Sequence, residues 1–274
     1  MAEGTCKLTR SKGKFVRAHL IPKALTRPEE PGLSFKQFGQ DGRLTRRWDS
    51  WYDSQLVTER GEEILAELDS WAIEALRKHR LIWSGWGPAQ KLAVNDHFEY
   101  PGGGVRRIQV IDGKRLRLFC LSLLWRAAAT DRLEFEEVVL KPAELENLRL
   151  MVCQGETEPV SFYPAALVQL STLGDKHNQS PIVSTKLIPS VGVHAQRNIP
   201  IFRFYFEGLV IHIHRHASDD GYTESMGPTM VGGDDTTLFV TTVPYETSWE
   251  RDNLLRHQVG AWLNERSPAG KKTS

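Results

Sequence analysis

Residues 58–80 carry the most regular hydrophobic pattern in the chain. Ile64, Leu65, Leu68, Trp71, Ala72, Ala75 and Leu76 recur at three- and four-residue steps, which places them on one face of an α-helix. Thr58 stands where an N-cap belongs and Glu59 follows in the first turn. Lys78, His79 and Arg80 fall in the last turn, so both ends suit the helix dipole. The 274 residues suffice for a buried core and for one or two domains around such a helix.

The rest of the pattern is mixed. Residues 14–21 alternate loosely and read as a short strand or hairpin, ended by Pro22, which cannot donate to a ladder. Residues 26–47 hold Pro28, Pro31, Gly32, Gly39 and Gly42 and read as a long loop. The break Tyr100-Pro101-Gly102-Gly103-Gly104 sets an expected division into residues 1–100 and 101–274. Beyond it, residues 105–111 predict a strand, 116–129 a buried helix holding Cys120, and 143–153 a helix opened by Pro142. Residues 199–216 predict a hairpin turning at Glu207-Gly208, residues 238–243 a strand, and 249–263 a last helix before a Lys/Ser tail. The expected class is α+β, with a mixed α+β second domain of unassigned role.

A formal net charge of +1 hides an asymmetry: residues 7–47 hold eleven Lys and Arg against Glu29, Glu30 and Asp41. A segment this basic suits phosphates, or else forms a solvated surface. Arg43, Arg46 and Arg47 interleave with Trp48, Trp51 and Tyr52, as phosphate-gripping and base-stacking groups do, and as a packing cluster with solvated arginines does too. Arg17, Lys23, Arg43, Arg46, Arg47 and Trp48 are therefore the candidate nucleic-acid contacts. Cys6, Cys120 and Cys153 form no CxxC pair, so no disulfide framework is expected. The polar first residues and the lack of a long apolar run predict neither a signal peptide nor a membrane span, hence a cytoplasmic protein. No GxxxxGK[ST] phosphate loop occurs, and Ser122 and Ser161 lack GxSxG surroundings.

Three short runs carry a resemblance. They are Cys6-Lys7-Leu8-Thr9, His19-Leu20-Ile21-Pro22 and Tyr52-Asp53-Ser54-Gln55-Leu56-Val57, the last leading to Thr58, Gly61 and Glu62. In this order they resemble the HNH-type (ββα-metal) nucleases, over about the first quarter of the chain. The nearest pattern in that family runs Cys-x-Leu-Cys, His-Ile-Ile-Pro, then Tyr-Asp-x-x-Leu-Leu-Cys-x-x-Cys-Glu. Thr9, Thr58 and Gly61 stand where three of its four zinc-binding cysteines would be, so a structural zinc is not expected. The resemblance implies a small ββα module at residues 1–100 and phosphodiester hydrolysis with one Mg²⁺ or Mn²⁺ ion. His19 would be the general base, Asp53 an orienting group or metal ligand, and Glu62 a metal ligand. Defence against phage or foreign DNA is a setting it suggests.

The same residues also admit a structural reading, with His19 beside a core strand, Asp53 capping a turn and Glu62 solvated in a first helical turn. A catalytically inactive module binding nucleic acid or protein is the alternative function, and a protein partner or homo-oligomer stays open. A weaker metal candidate is His212 with His214, which alternate with His216 on one strand face near Asp219 and Asp220. Its plain alternative is a strand facing solvent or a partner.

Overall fold

The computed structural model describes residues 2–27, 34–38, 44–93, 95, 97–109, 111–188, 196–215, 226–233 and 237–266. Two short ladders come first. Strands β1 (Glu3–Thr5) and β2 (Lys12–Lys14) form one hairpin. Strand β3 (Ala18–His19) pairs antiparallel with β6 (Tyr52–Asp53), with Ala18 opposite Asp53 and His19 opposite Tyr52. Helix α1 (Glu59–Lys78) follows directly. Thr58 holds the N-cap position in extended backbone, but its hydroxyl makes no cap hydrogen bond.

The segment between β3 and β6 does not stay a loop. It contributes β4 (Phe35–Phe38) and β5 (Leu44–Arg47) to the edge of a large sheet. The Pro and Gly residues of 26–47 masked two short strands, because turn signals dominate a window in which each strand is only four residues long.

That sheet has nine strands in the order β5-β4-β10-β11-β12-β9-β13-β8-β7. The remaining members are β7 (His97–Tyr100), β8 (Gly103–Gln109), β9 (Ala165–Leu170), β10 (His177–Ile188), β11 (Arg197–Phe206), β12 (Leu209–His214) and β13 (Thr237–Val243). Neighbours are antiparallel except β4 with β10 and β9 with β13. Sheet and helices together make an α+β fold. Strands from both sides of residue 100 share this sheet, and one apolar core draws on both. The expected division falls inside the β7–β8 hairpin, where Tyr100 pairs with Gly103.

Alternation decides the core face. Phe202, Phe204 and Phe206 of β11 and Leu209, Ile211 and Ile213 of β12 are all buried in the main core. The β11–β12 turn is the expected Glu207-Gly208, both at positive φ, as a two-residue hairpin connection favours. Helix α2 (Gly113–Ala129) is apolar almost all round, and Phe119 meets Phe206 edge-on at 6.5 Å. Its Asp112 cap accepts from the Arg115 backbone at 2.8 Å, and Cys120 is fully buried, its thiol pushed up to about 12 by burial. Arg117, also fully buried, donates to the carbonyls of Thr157, Pro159, Phe162 and Tyr163, so it pins the segment leading into β9. Helix α3 (Pro142–Gln154) begins on proline and ends on Gly155 at φ +78°. Helix α4 (Trp249–Arg266) closes the described chain, and the Lys/Ser tail expected after it lies outside the described residues. No helix among the described residues is long and apolar enough to cross a membrane.

Candidate nucleic-acid interface around His19

The ladder register sorts the candidate residues before any contact is counted. Opposed residues of an antiparallel pair share a face and successive residues alternate. His19 therefore lies with Tyr52, and Asp53 lies with the buried Ala18 on the other face. The Asp53 carboxylate accepts from the Gln55 backbone at 2.7 Å and from the Thr130 hydroxyl at 2.7 Å. It caps a turn and ties β6 to the end of α2, which places it apart from the imidazole it was expected to serve.

The group that does face His19 is Asp49. Its Oδ1 lies 3.5 Å from His19 Nε2, too long for a good hydrogen bond, and Nε2 is otherwise buried without a partner among the described residues. Arg17 holds the other carboxylate oxygen at 2.6 Å, and Lys23 Nζ stands 3.6 Å from Oδ1. Burial lowers the His19 pKa most, Asp49 opposes it, and Lys23 and Arg17 add to the lowering. The net result is below the ordinary imidazole value. Burial pushes the Asp49 carboxyl up, but the Ser50 backbone N–H, Lys23, Arg17 and His19 outweigh it, and Asp49 stays below the usual range. The backbone of His19 is fixed from beneath, where Arg126 Nη1 donates to its carbonyl at 3.2 Å.

The cations continue along this surface. The Arg17 guanidinium sits 3.5 Å from the centre of the Tyr52 ring, and Arg132 approaches the same ring at 5.9 Å. Arg132 forks onto Glu134, whose carboxyl also feels Arg47. Arg46, Arg47 and Trp48 follow on or after the edge strand β5, all exposed, Trp48 by 69%. Trp51 instead is buried against Phe135, with ring centres 5.7 Å apart. The cation–aromatic run thus divides into a solvent-facing part and a core part. Arg43 lies outside the described residues.

Glu62 is half-buried in the first turn of α1. Burial raises its pKa most, Arg126 opposes this and Asp69 adds to it, so the carboxyl stays above the usual range. It belongs with the Arg126–Asp69 pair, where Arg126 donates at 2.8 and 2.6 Å. His19, Asp53 and Glu62 are therefore not gathered into one ligand set. Among the described residues no group of three or more His, Cys, Asp or Glu could hold a metal ion.

His212 and His214 do share a face of β12, but both are buried, and His212 lies opposite Arg203 in register. Burial and the cations Arg203 and Lys186 hold its pKa well below the ordinary value, surroundings that also repel a metal cation. His216, Asp219 and Asp220 lie outside the described residues.

The four positions aligned with a zinc knuckle come together in space. Thr9 N donates to Cys6 Sγ at 3.4 Å, the backbone at Thr58 also hydrogen-bonds the thiol, and a Cβ built on Gly61 would lie 2.7 Å from that sulfur. Burial raises the Cys6 thiol, but the hydrogen bonds from Thr9, Thr58 and Leu8 prevail and its pKa is lowered.

Two residues of this surface carried no sequence signal. Asp49 sits between Trp48 and Ser50 in a run read for its aromatics, and Arg132 is distant in sequence. Comparison of the chain with protein-family models, curated proteins and solved structures finds no match.

Proposed function

We propose that the His19 surface binds the phosphate backbone of a nucleic acid and hydrolyses phosphodiester bonds with His19 as general base. The observation that carries this reading is the His19–Asp49 pair set among Arg17, Lys23, Arg132 and Arg47. Nε2 of His19 is buried and faces Asp49 Oδ1. A proton on Nε2, turned toward the Asp49 charge, would leave the lone pair on Nδ1, and the lowered pKa keeps the ring neutral at pH 7, as a base requires. Nδ1 would take a proton from water as the water oxygen attacks phosphorus and the ester oxygen leaves. The cations would hold the phosphate oxygens.

The order β3, β6, α1 and the cluster of Cys6, Thr9, Thr58 and Gly61 support the HNH-like resemblance. A Mg²⁺ or Mn²⁺ requirement is part of that proposal. The ligand set it implied is divided between two faces and a separate ion pair, so the ion would need ligands beyond Asp53 and Glu62. A second reading, a non-catalytic binding module, is favoured by one observation: Asp49 already pairs with Arg17 and Lys23.

Cleavage of plasmid DNA and of RNA, with Mg²⁺ or Mn²⁺ and with neither, tests the two. Loss of cleavage by about 10²–10⁴-fold in His19→Ala is expected of a general base. Salt-sensitive binding without cleavage by either protein establishes the binding module instead. Equal cleavage by both proteins removes His19 from the chemistry.

A further inference from the structure

A cleft of about 420 Å³ opens beside the start of α3, the first part of β11 and the residue after β12, and shares no residue with the His19 surface. Its volume falls within the range of small-molecule sites, about 300–1,000 Å³. Phe202 and Tyr163 line it as nearly fully buried aromatics, and Val139, Leu140 and Pro200 complete the apolar lining. Val139 is 68% exposed, so part of this lining faces water uncovered.

The charged groups are unequal. Lys141 and Arg215 line the cleft against one acid, Glu144. Glu144 is already engaged: it accepts from the Tyr163 hydroxyl at 3.0 Å and from the Lys141 backbone at 3.2 Å, with Lys141 Nζ 3.6 Å away. The Arg215 guanidinium stands 5.2 Å from the centre of the Phe202 ring, and no described carboxylate lies within ion-pair distance of it. A guanidinium over a ring keeps its N–H edge available for a planar acid. Among the described lining residues, one positive charge is therefore in excess at the rim of an aromatic-lined cleft.

We propose that this cleft binds a small organic anion with a planar apolar body. Its acidic group meets Arg215 and Lys141, and its body lies against Phe202, Tyr163 and Val139. The apolar lining selects against a bare inorganic anion, which would leave that surface in water. The cation excess selects against a neutral aromatic.

Fluorine NMR of 4-fluorobenzoate added to the full chain tests this. The expected result is saturable broadening by the wild type, weakened about tenfold in Arg215→Gln, the loss of one charge-assisted hydrogen-bonding partner. The neutral isostere 4-fluorobenzamide weakens by a similar factor, and inorganic phosphate at equal concentration does not displace the benzoate. Arg215 is half-exposed, and an unchanged urea midpoint for Arg215→Gln separates loss of binding from loss of fold. No saturable binding, equal binding by the variant, or equal binding of the benzamide overturns the proposal. Displacement by phosphate at equal concentration overturns the apolar body.

Discussion

Arg126 on α2 donates from Nη1 to the main-chain carbonyl of His19 at 3.2 Å, and the same guanidinium grips Asp69 of α1 with two nitrogens. Its side chain is 1% exposed. The strand that presents the candidate base is thus fixed by a buried charge whose only described carboxylate partner at ion-pair distance is Asp69. Removing one member of such a pair leaves the other uncompensated, which costs about 3–5 kcal/mol. Asp69→Ala is expected to lower the unfolding free energy by about that amount in urea titrations, and Asp69→Ala with Arg126→Met to recover most of it. A single-variant loss below about 1 kcal/mol would remove the pair from the support of His19.

Asp49 acts on His19 through charge. It is the one neighbour that raises the imidazole pKa, against burial, Lys23 and Arg17. Asp49→Asn is therefore expected to move the His19 titration, followed by histidine ring NMR, further below the ordinary value. A base with a lowered pKa gains activity as pH rises through that pKa and is fully competent above it. In the variant the acid limb of any cleavage profile moves to lower pH, with a lower plateau because the ring is less well oriented. An upward move of the titration would show that Asp49 does not face His19 in solution.

Gly61 tests the packed knuckle. A methyl group there meets Cys6 Sγ at 2.7 Å and Val57 Cβ at 2.9 Å, and the backbone of a helix cannot easily give way. Gly61→Ala is expected to destabilise by about 1–3 kcal/mol through overpacking, despite alanine's better helix propensity. Cys6→Ala opens the space of the sulfur, so the double variant should cost less than the sum of the two singles. Strict additivity in thermal unfolding would mean that the two residues do not touch.

The helix at 59–78 and the β11–β12 hairpin were legible because each is a local pattern. One is a 3.6-residue stripe, the other alternation around a turn whose Glu207 and Gly208 both take positive φ. The edge strands β4 and β5 were hidden because four residues between glycines and prolines carry too little periodicity to outweigh the turn signals. The main core, shared across residue 100, was hidden for another reason. The pairing of β4 with β10 joins residues about 140 apart in sequence, and nothing in either segment announces its partner. At the candidate site, the motif marked His19 as the end of a strand, which is where β3 places it. Asp53 was misplaced because a motif gives spacing but not register, and a two-residue ladder decides which face each side chain takes.

Buried histidines make stability depend on pH. His177 is held down to about 4 and His214 to about 3, both mainly by burial, and His212 lies well below the ordinary value. His177 stacks on Tyr205 at 4.7 Å, with Asp175 opposing and Lys36 and His257 adding to the lowering. Arg203 and Lys186 bear on His212, and Lys186 on His214. Each takes up its proton in the unfolded chain near pH 6.5 but not in the fold, so the unfolded state binds more protons as pH drops. Stability is then fully present above pH 6.5 and declines below it, by about 1.4 kcal/mol per histidine at pH 5.5 and about 4 kcal/mol for the three. Urea midpoints at pH 8 and pH 5.5, at constant denaturant slope, measure the loss. His212→Gln removes one of these titrations, and the difference between the two pH values should shrink by about 1.4 kcal/mol. The same difference in wild type and variant would show that His212 is already protonated, or solvated, inside the native sheet.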